Sequence, residues 1–97
     1  MRTRYKSLAD YGVPQDQIDE LKARCKNLTA EERKALFEIA ISASAGMEVT
    51  IYASIVDGIG YRTLMRRGFE IPAKEDDWYA YRRKTMALMY QRLKKAE

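Results

Sequence analysis

The chain has 97 residues, a net charge of +4, 46% hydrophobic and 33% charged residues, one cysteine and no histidine. This balance of hydrophobic and charged residues fits one globular domain over residues 1–97 and excludes a disordered chain. The lone cysteine excludes an internal disulfide and favours the reducing cytoplasm as the location. Without histidine the chain lacks the Ser-His and Cys-His nucleophile pairs and the usual zinc sites, so we expect a protein that is not an enzyme and binds no cofactor or metal.

The first elements are short. Residues 1–13 are predicted to form an N-terminal arm and a single turn, which Ser7 caps and Gly12 ends. A helix is then predicted from a narrow apolar stripe at three- and four-residue steps, formed by Ile18, Leu21, Cys25 and Leu28. The longest apolar stretch, residues 35–47, is interrupted by a charge and is too short to span a bilayer, so no membrane partner is expected.

Thr29-Ala-Glu-Glu32 has the pattern of a capping box and predicts the start of a helix that runs to about Ala45. Apolar residues surround nearly the whole circumference of this helix, so we expect it to be the central and most buried one. The residues predicted to be buried in the domain are Leu36, Phe37, Ile39, Ala40, Trp78 and Leu88.

Residues 48–56 allow two interpretations. Val49, Ile51 and Ile55 belong to an alternating, β-branched pattern that is typical of a strand. The rest of the chain offers no pairing strand, however, and a lone strand leaves backbone groups unsatisfied. A helix packed through Ile51 and Ile55 is therefore favoured, and a strand paired with a second chain is the alternative.

The last part of the chain, residues 60–95, predicts a short helix, an extended connection at Ile71-Pro72 and a long final helix from about Pro72 to about Lys94. Together these elements predict an all-α fold: a compact bundle of about five helices. Its C-terminal half resembles a helix-turn-helix, and its last helix is long.

A helical projection of the last helix separates two faces. The face predicted to dock on the domain carries Trp78, Tyr81, Thr85, Leu88, Met89 and Leu93. The face predicted to point outward carries Ala80, Arg83, Lys84, Ala87, Gln91, Lys94 and Lys95. Small side chains beside cations would let a phosphate backbone approach this outer face. Arg82 and Arg92 fall in the apolar sector, where we expect them to extend toward solvent or to pair with a carboxylate.

Charge is distributed unevenly along the chain. Residues 1–60 carry eight Lys/Arg against nine Asp/Glu, a net −1, whereas residues 61–97 carry ten against five, a net +5. A basic C-terminal third indicates an anionic partner, nucleic acid first, although a solvated basic helix gives the same pattern.

Three short motifs carry a family resemblance: residues 60–67 (Gly-Tyr-Arg-Thr-Leu-Met-Arg-Arg), Ile71-Pro72, and residues 78–84 (Trp-Tyr-Ala-Tyr-Arg-Arg-Lys). They resemble the C-terminal part of phage-encoded transcription regulators of the ArpU and RinA type, which are similar to sigma factor region four. The resemblance covers about a third of the chain and implies a helix-turn-helix that binds duplex DNA, with residues 61–67 as supporting helix and 73–94 as recognition helix. The DNA-contacting residues it implies are Tyr79, Arg83 and Lys84, with Arg62, Arg66 and Arg67 near the phosphate backbone.

The sequence departs from that family at Glu75-Asp76-Asp77, where the family has Ser, Arg or Thr before the aromatic residue. Acids in the first turn of a recognition helix repel phosphates, although an Asp can accept from cytosine N4 and acids also favour a helix N-terminus. The alternative function is a non-enzymatic protein-interaction module or homodimeric adaptor. Its contact surface would be an exposed patch of Tyr79, Met86 and Tyr90, since Tyr and Met are enriched at interfaces.

Overall fold

The computed structural model describes residues 7–44 and 46–96, and within these residues all regular structure is helical. The helices are α1 (Ile18–Cys25), α2 (Ala30–Ala43), α3 (Glu48–Asp57), α4 (Tyr61–Arg66) and α5 (Glu75–Ala96), preceded by 3₁₀ turns at Ala9–Tyr11 and Gln15–Gln17. The predicted all-α bundle of about five helices with a long last helix is therefore confirmed. Residues 1–6 of the predicted arm and Ala45, the predicted end of α2, lie outside the described residues.

The N-terminal turn forms as the sequence predicts. The Asp10 backbone N–H donates to Ser7 Oγ at 3.3 Å, and the Ser7 N–H donates to Asp10 Oδ2 at 2.9 Å. Gly12 ends the turn with φ at +90°, a left-handed conformation that glycine adopts without steric cost. The chain then leads into Val13, which is buried in the core.

The predicted capping box opens α2. The Glu32 N–H donates to Thr29 Oγ1 at 3.1 Å, and the Thr29 N–H donates to Glu32 Oε1 at 3.0 Å. The backbone hydrogen bond from Thr29, with the nearby Arg24 guanidinium, lowers the pKa of Glu32 below its ordinary value. Arg24 also donates to Glu32 Oε2 at 2.7 Å, which connects α1 to the start of α2.

Residues 48–57 form the helix α3, which resolves the two interpretations of the alternating pattern in favour of a helix. Ile51 and Ile55, four residues apart, lie on its buried face, and Gly58 ends it with φ at +70°. The helix satisfies its own backbone groups, so the β-branched residues need no pairing strand. Tertiary burial therefore overrides β-propensity over these residues.

The helix with the most helical neighbours is α3, and the prediction that α2 is the central helix is wrong. Helix α3 packs against α1, α2, α4 and α5, whereas α2 packs mainly against α3 and α5. Helix α2 buries one face only, because Ile41 on its other side is 52% exposed. Apolar residues surround α2 in the sequence, but the bundle covers only part of its circumference.

Of the six residues predicted to be buried in the core, three are buried. Leu36, Ala40 and Trp78 are buried, whereas Phe37, Ile39 and Leu88 are only half-buried. Phe37 packs edge-on against Tyr52, with ring centroids 5.5 Å apart, at the border between α2 and α3. Side chains at the border of a small bundle keep part of their surface in water, which a periodicity argument does not reveal.

Candidate nucleic-acid interface at α4 and α5

Helix α4 is held in place by hydroxyl groups of tyrosines. Its N-cap residue, Gly60, has no side chain, and the Tyr61 backbone N–H donates instead to Tyr79 Oη at 3.2 Å. The Tyr61 hydroxyl donates in turn to the Ala73 carbonyl oxygen at 2.8 Å, in the connection that precedes α5. These two bonds fix the start of α4 on the first turns of α5.

Trp78 anchors the same region, as predicted. Its side chain is fully buried, and its indole Nε1–H donates to Thr50 Oγ1 of α3 at 3.1 Å. The rings of Tyr61 and Tyr79 both pack edge-on against it, with centroids 5.6 and 4.8 Å away. The aromatic cluster therefore joins α3, α4 and the start of α5 into one rigid unit.

The outward face of α4 combines arginines with apolar side chains. We call it the α4 outer face; it comprises Arg62, Met65, Arg66, Arg67 and Phe69. Arg62, Met65 and Arg66 lie on one side of α4, opposite the buried Leu64, and Arg67 and Phe69 follow directly after the end of the helix. All five are exposed, Met65 at 48% and Phe69 at 38%.

One arginine of this face already has an ionic partner. Arg62 Nη2 lies 3.4 Å from Glu75 Oε1, and the Arg62 side chain is 82% exposed. An exposed ion pair at this distance contributes little to stability, so another anion can replace Glu75 as the partner of Arg62. Arg66 makes a side-chain hydrogen bond to Thr63 on its own helix.

The predicted outer face of α5 is not an open surface, and this is a correction. Ala80 and Ala87, expected to point outward, are only 2% and 1% exposed. Arg83 and Lys84 are half-buried. A phosphate backbone therefore cannot approach α5 across small residues, because neighbouring helices already cover those positions. Only the side chains of Arg83 and Lys84, and not the helix surface between them, remain candidates for contact.

Arg82 lies in the apolar sector, as predicted, but its guanidinium is directed into the domain and not toward solvent. Its Nε–H donates to Ser54 Oγ at 2.8 Å and its Nη1 donates to Met86 Sδ at 3.3 Å, while the Ser54 hydroxyl donates to the Ile59 carbonyl. Burial lowers the pKa of Arg82, opposed by interactions with Tyr79 and Cys25. The carboxylate partner proposed from the sequence is absent: no Asp or Glu among the described residues forms an ion pair with this guanidinium.

The excess of positive charge in residues 61–97 comes from residues that follow the acidic first turn of α5. Residues 61–77 carry four Lys/Arg and four Asp/Glu, whereas residues 78–97 carry six against one. Glu75, Asp76 and Asp77 therefore balance the cations of α4 and its connection. The α4 outer face carries three arginines, and Glu75 lies beside it as the ionic partner of Arg62.

The predicted protein-binding patch does not form, because Met86 is buried in the core. Tyr79 and Tyr90 are half-buried and use their hydroxyls inside the domain. Tyr90 donates to Gln17 Oε1 at 2.7 Å and so joins the end of α5 to the turn before α1. The exposed apolar residues beside the arginines are instead Met65 and Phe69. Both residues are visible in the sequence, but nothing in their local pattern indicates that they are exposed.

Residues 67–74 connect α4 to α5, a longer connection than the turn of about three or four residues in a helix-turn-helix. A scan against protein-family models finds no match to the chain, and searches of the curated proteins and of the solved structures find none either. Over the described residues, no group of His, Cys, Asp and Glu side chains is arranged to hold a metal ion. None of the described helices combines the length and hydrophobicity needed to cross a bilayer.

Proposed function

We propose that this chain binds duplex DNA through the phosphate backbone, with the α4 outer face as the main contact surface and Arg83 and Lys84 as flanking contacts. The observation that carries the proposal is that three exposed arginines, Arg62, Arg66 and Arg67, lie on one short helix and at its C-terminal cap. A transcription-regulating role of the ArpU and RinA type is part of the same proposal, and it rests on the sequence resemblance.

The arrangement of α4 suits backbone binding. Arginine forms bidentate hydrogen bonds with phosphate, and a fixed helix presents several guanidinium groups at set distances. The Tyr79 and Trp78 contacts supply this fixed position. Binding at the α4 outer face needs no rearrangement of the core.

The family resemblance implies that α5 reads DNA bases, and this part of the proposal has less support than contact with phosphates. Its middle turns are covered by other helices, and its first turn carries Glu75, Asp76 and Asp77. Contacts to phosphate position a protein on DNA but do not specify sequence. We therefore expect binding that depends strongly on salt and only weakly on sequence.

The test is a salt titration of binding to a labelled duplex. Each phosphate contact contributes about −0.9 to the slope of log K against log salt concentration, so the double variant Arg66→Ala/Arg67→Ala should flatten the slope by about two units. The variant Arg83→Ala/Lys84→Ala should flatten it less, since both side chains are half-buried.

The matched control is Arg33→Ala/Lys34→Ala, which removes two exposed cations from α2. It should leave the slope nearly unchanged, and circular dichroism should show that all three variants are folded. If wild type binds no duplex at low salt, the proposal fails. Equal flattening by the α2 control would mean that net charge, and not the α4 outer face, drives binding.

A second function is favoured by one specific observation, the exposure of Met65 and Phe69 among the arginines. Arginine and methionine beside an aromatic ring are typical of a protein interface, and the charge fits an acidic, partly apolar peptide segment. Replacing Met65 and Phe69 with Ser should then abolish partner binding and leave DNA affinity unchanged. A parallel loss of DNA binding would show that the apolar side chains of the α4 outer face also contribute to DNA binding.

A further inference from the structure

Two large apolar side chains of the α4 outer face, Met65 and Phe69, are not used by the fold. Both are exposed, whereas the neighbouring Leu64 is fully buried. Neither of the two belongs to the apolar residues that form the core or pack against it. Folding therefore leaves apolar surface on both side chains that is available to a ligand.

The turn after α4 fixes the position of Phe69. The Gly68 N–H donates to the Met65 carbonyl oxygen at 3.1 Å, and the Phe69 N–H donates to the Leu64 carbonyl oxygen at 3.2 Å. Gly68 has φ at +94°, so these two bonds form the Schellman motif that ends many helices. Phe69 is therefore carried by hydrogen-bonded backbone, at a set position relative to Met65, and not by a free loop.

Both apolar side chains lie among positive charges. Residues 61–70 contain three arginines and one acid, Glu70, which follows Phe69. The other acid close to this face is Glu75, the partner of Arg62. A surface that combines guanidinium groups with exposed apolar side chains fits an anionic ligand that also has apolar faces. Duplex DNA is such a ligand, because its phosphates lie outside a stack of flat bases.

The combination with arginines distinguishes these side chains from other exposed apolar residues. Ile41 and Val49 are two further large apolar side chains that are exposed in the described part of the chain. Residues 38–52, which include both, contain Glu38 and Glu48 and no Lys or Arg. Exposed apolar surface alone is ordinary on a small domain. Its place among cations is the property that points to nucleic acid.

We infer that Met65 and Phe69 form an apolar wedge, which inserts at a base step of the bound duplex. This role rests on the proposed DNA binding and adds how the duplex is held. The arginines contact phosphates beside the step, while the wedge partly unstacks the bases and kinks the duplex. Phe and Met are among the side chains that DNA-bending proteins insert in this way. Insertion covers their apolar surface with base faces, which contact with phosphates alone does not do.

Such a wedge makes binding depend on how easily the duplex deforms. Unstacking a base step costs free energy, and it costs least where a base pair is mismatched. Pyrimidine–purine steps are also flexible and easily kinked. The preferred ligand is therefore a duplex with a mismatch or a flexible step, recognised through its deformability and not through hydrogen bonds to particular bases.

The experiment measures the binding and bending of a labelled duplex of about 20 base pairs, either intact or with one central mismatch. Fluorescence anisotropy gives the affinity, and energy transfer between dyes at the two ends gives the bend. Wild type should bind the mismatched duplex ~10-fold more tightly than the intact one and bend it by about 20–90°. The variant Met65→Ser/Phe69→Ser should lose both the preference and the bend. It should keep the salt slope of wild type, because the arginines remain.

The matched control is Ile41→Ser/Val49→Ser, which removes two exposed apolar side chains from α2 and α3. This control should bend the duplex and prefer the mismatch as wild type does, and circular dichroism should show that both variants are folded. A control that loses the bend as well contradicts a wedge located on the α4 outer face.

Three further results overturn the wedge and leave phosphate binding intact. One is a wild type that binds both duplexes equally well and bends neither. Another is a Met65→Ser/Phe69→Ser variant that bends DNA like wild type, which is the result expected if these side chains bind a protein partner. The third is tighter binding to the single strand alone, because Phe69 then stacks on unpaired bases. A wild type that binds no duplex at low salt rejects the proposed function and the wedge together.

Discussion

The two ends of α5 are attached to the domain by different kinds of contact. Over Trp78, Tyr79 and Arg82, each side chain makes a specific hydrogen bond to another element: to Thr50, to the start of α4 and to Ser54. Over the last turns, Tyr90 donates a hydrogen bond to Gln17 in the turn before α1, beside half-buried Leu93 and exposed cations.

This difference distinguishes side chains that hold the fold together from side chains that a ligand could contact. Buried polar side chains with fixed partners hold α3, α4 and α5 in one geometry, and they leave little surface for a ligand. The far end carries partly covered apolar groups and exposed charges. The first end of α5 therefore positions the α4 outer face, whereas the other end is held by the Tyr90–Gln17 hydrogen bond and by the packing of Leu93 against the core.

The prediction with the largest expected effect concerns the first turns of α5, around Trp78. Trp78→Ala should lower the free energy of unfolding by about 3–5 kcal/mol, because it leaves a cavity and breaks two aromatic contacts. Leu93→Ala, at the other end, should cost only about 1 kcal/mol because that side chain is half-buried in the monomer. Urea unfolding followed by circular dichroism measures both, since Trp78 is the only tryptophan. Equal losses would remove the distinction between the two ends.

A second prediction concerns the interior near Arg82. Burial raises the pKa of the Cys25 thiol from 9.0 to about 11, an effect that Arg82 and Arg24 partly oppose. The folded state thus holds the proton more tightly than the unfolded state. This contribution to stability is complete below pH 9 and is lost as the pH rises through 11, amounting to about 2–3 kcal/mol over that window.

Urea unfolding at several pH values from 8 to 11 measures this loss. Tyrosines and lysines also titrate there, so the quantity to compare is the difference between wild type and Cys25→Ala. The variant should lose less stability with rising pH than wild type does. Parallel pH dependences would show that the thiol ionises as easily in the folded chain as in the unfolded one.

The smallest expected effect isolates the contact between α4 and α5. Tyr79→Phe removes one hydrogen bond and should cost about 1 kcal/mol. A Cβ added at Gly60 would lie 2.8 Å from Tyr79 Oη, while the Gly60 φ of −98° is open to alanine. Gly60→Ala should therefore destabilise wild type and be nearly neutral in the Tyr79→Phe background. Additive effects in this double-mutant cycle would mean that the hydroxyl does not lie against Gly60.

Much of the fold could be predicted because its signals are local. The capping box at Thr29, the turn ended by Gly12 and the helical period of the last helix each depend on residues close in sequence. The central position of α3 instead of α2 was not predictable in this way. It depends on how many neighbours surround each helix in the folded bundle. The burial of Ala80 and Ala87 was not predictable either, because an alanine in the sequence gives no sign of whether it lies in a close-packed contact or on an open face.

The candidate site was predicted less completely for the same reason. Arg62, Arg66 and Arg67 lie exposed, and Arg82 points inward, because short-range periodicity determines those directions. Tyr79 was expected to contact DNA from its place in a motif, yet its hydroxyl accepts a hydrogen bond from Tyr61, eighteen residues earlier. A contact over that distance depends on the tertiary arrangement, which the sequence motif does not contain.

The place of α5 in the chain also has a consequence for synthesis. Helix α5 follows α1 to α4, so a ribosome completes those four helices before the one that packs against α2, α3 and α4. At about 5–20 residues per second, the 22 residues of α5 take roughly 1–4 s to add. During that interval Leu36, Ile51 and Ile55 have no α5 to pack against. The nascent chain is then open to chaperones and proteases, and it closes into a domain only as its last helix emerges.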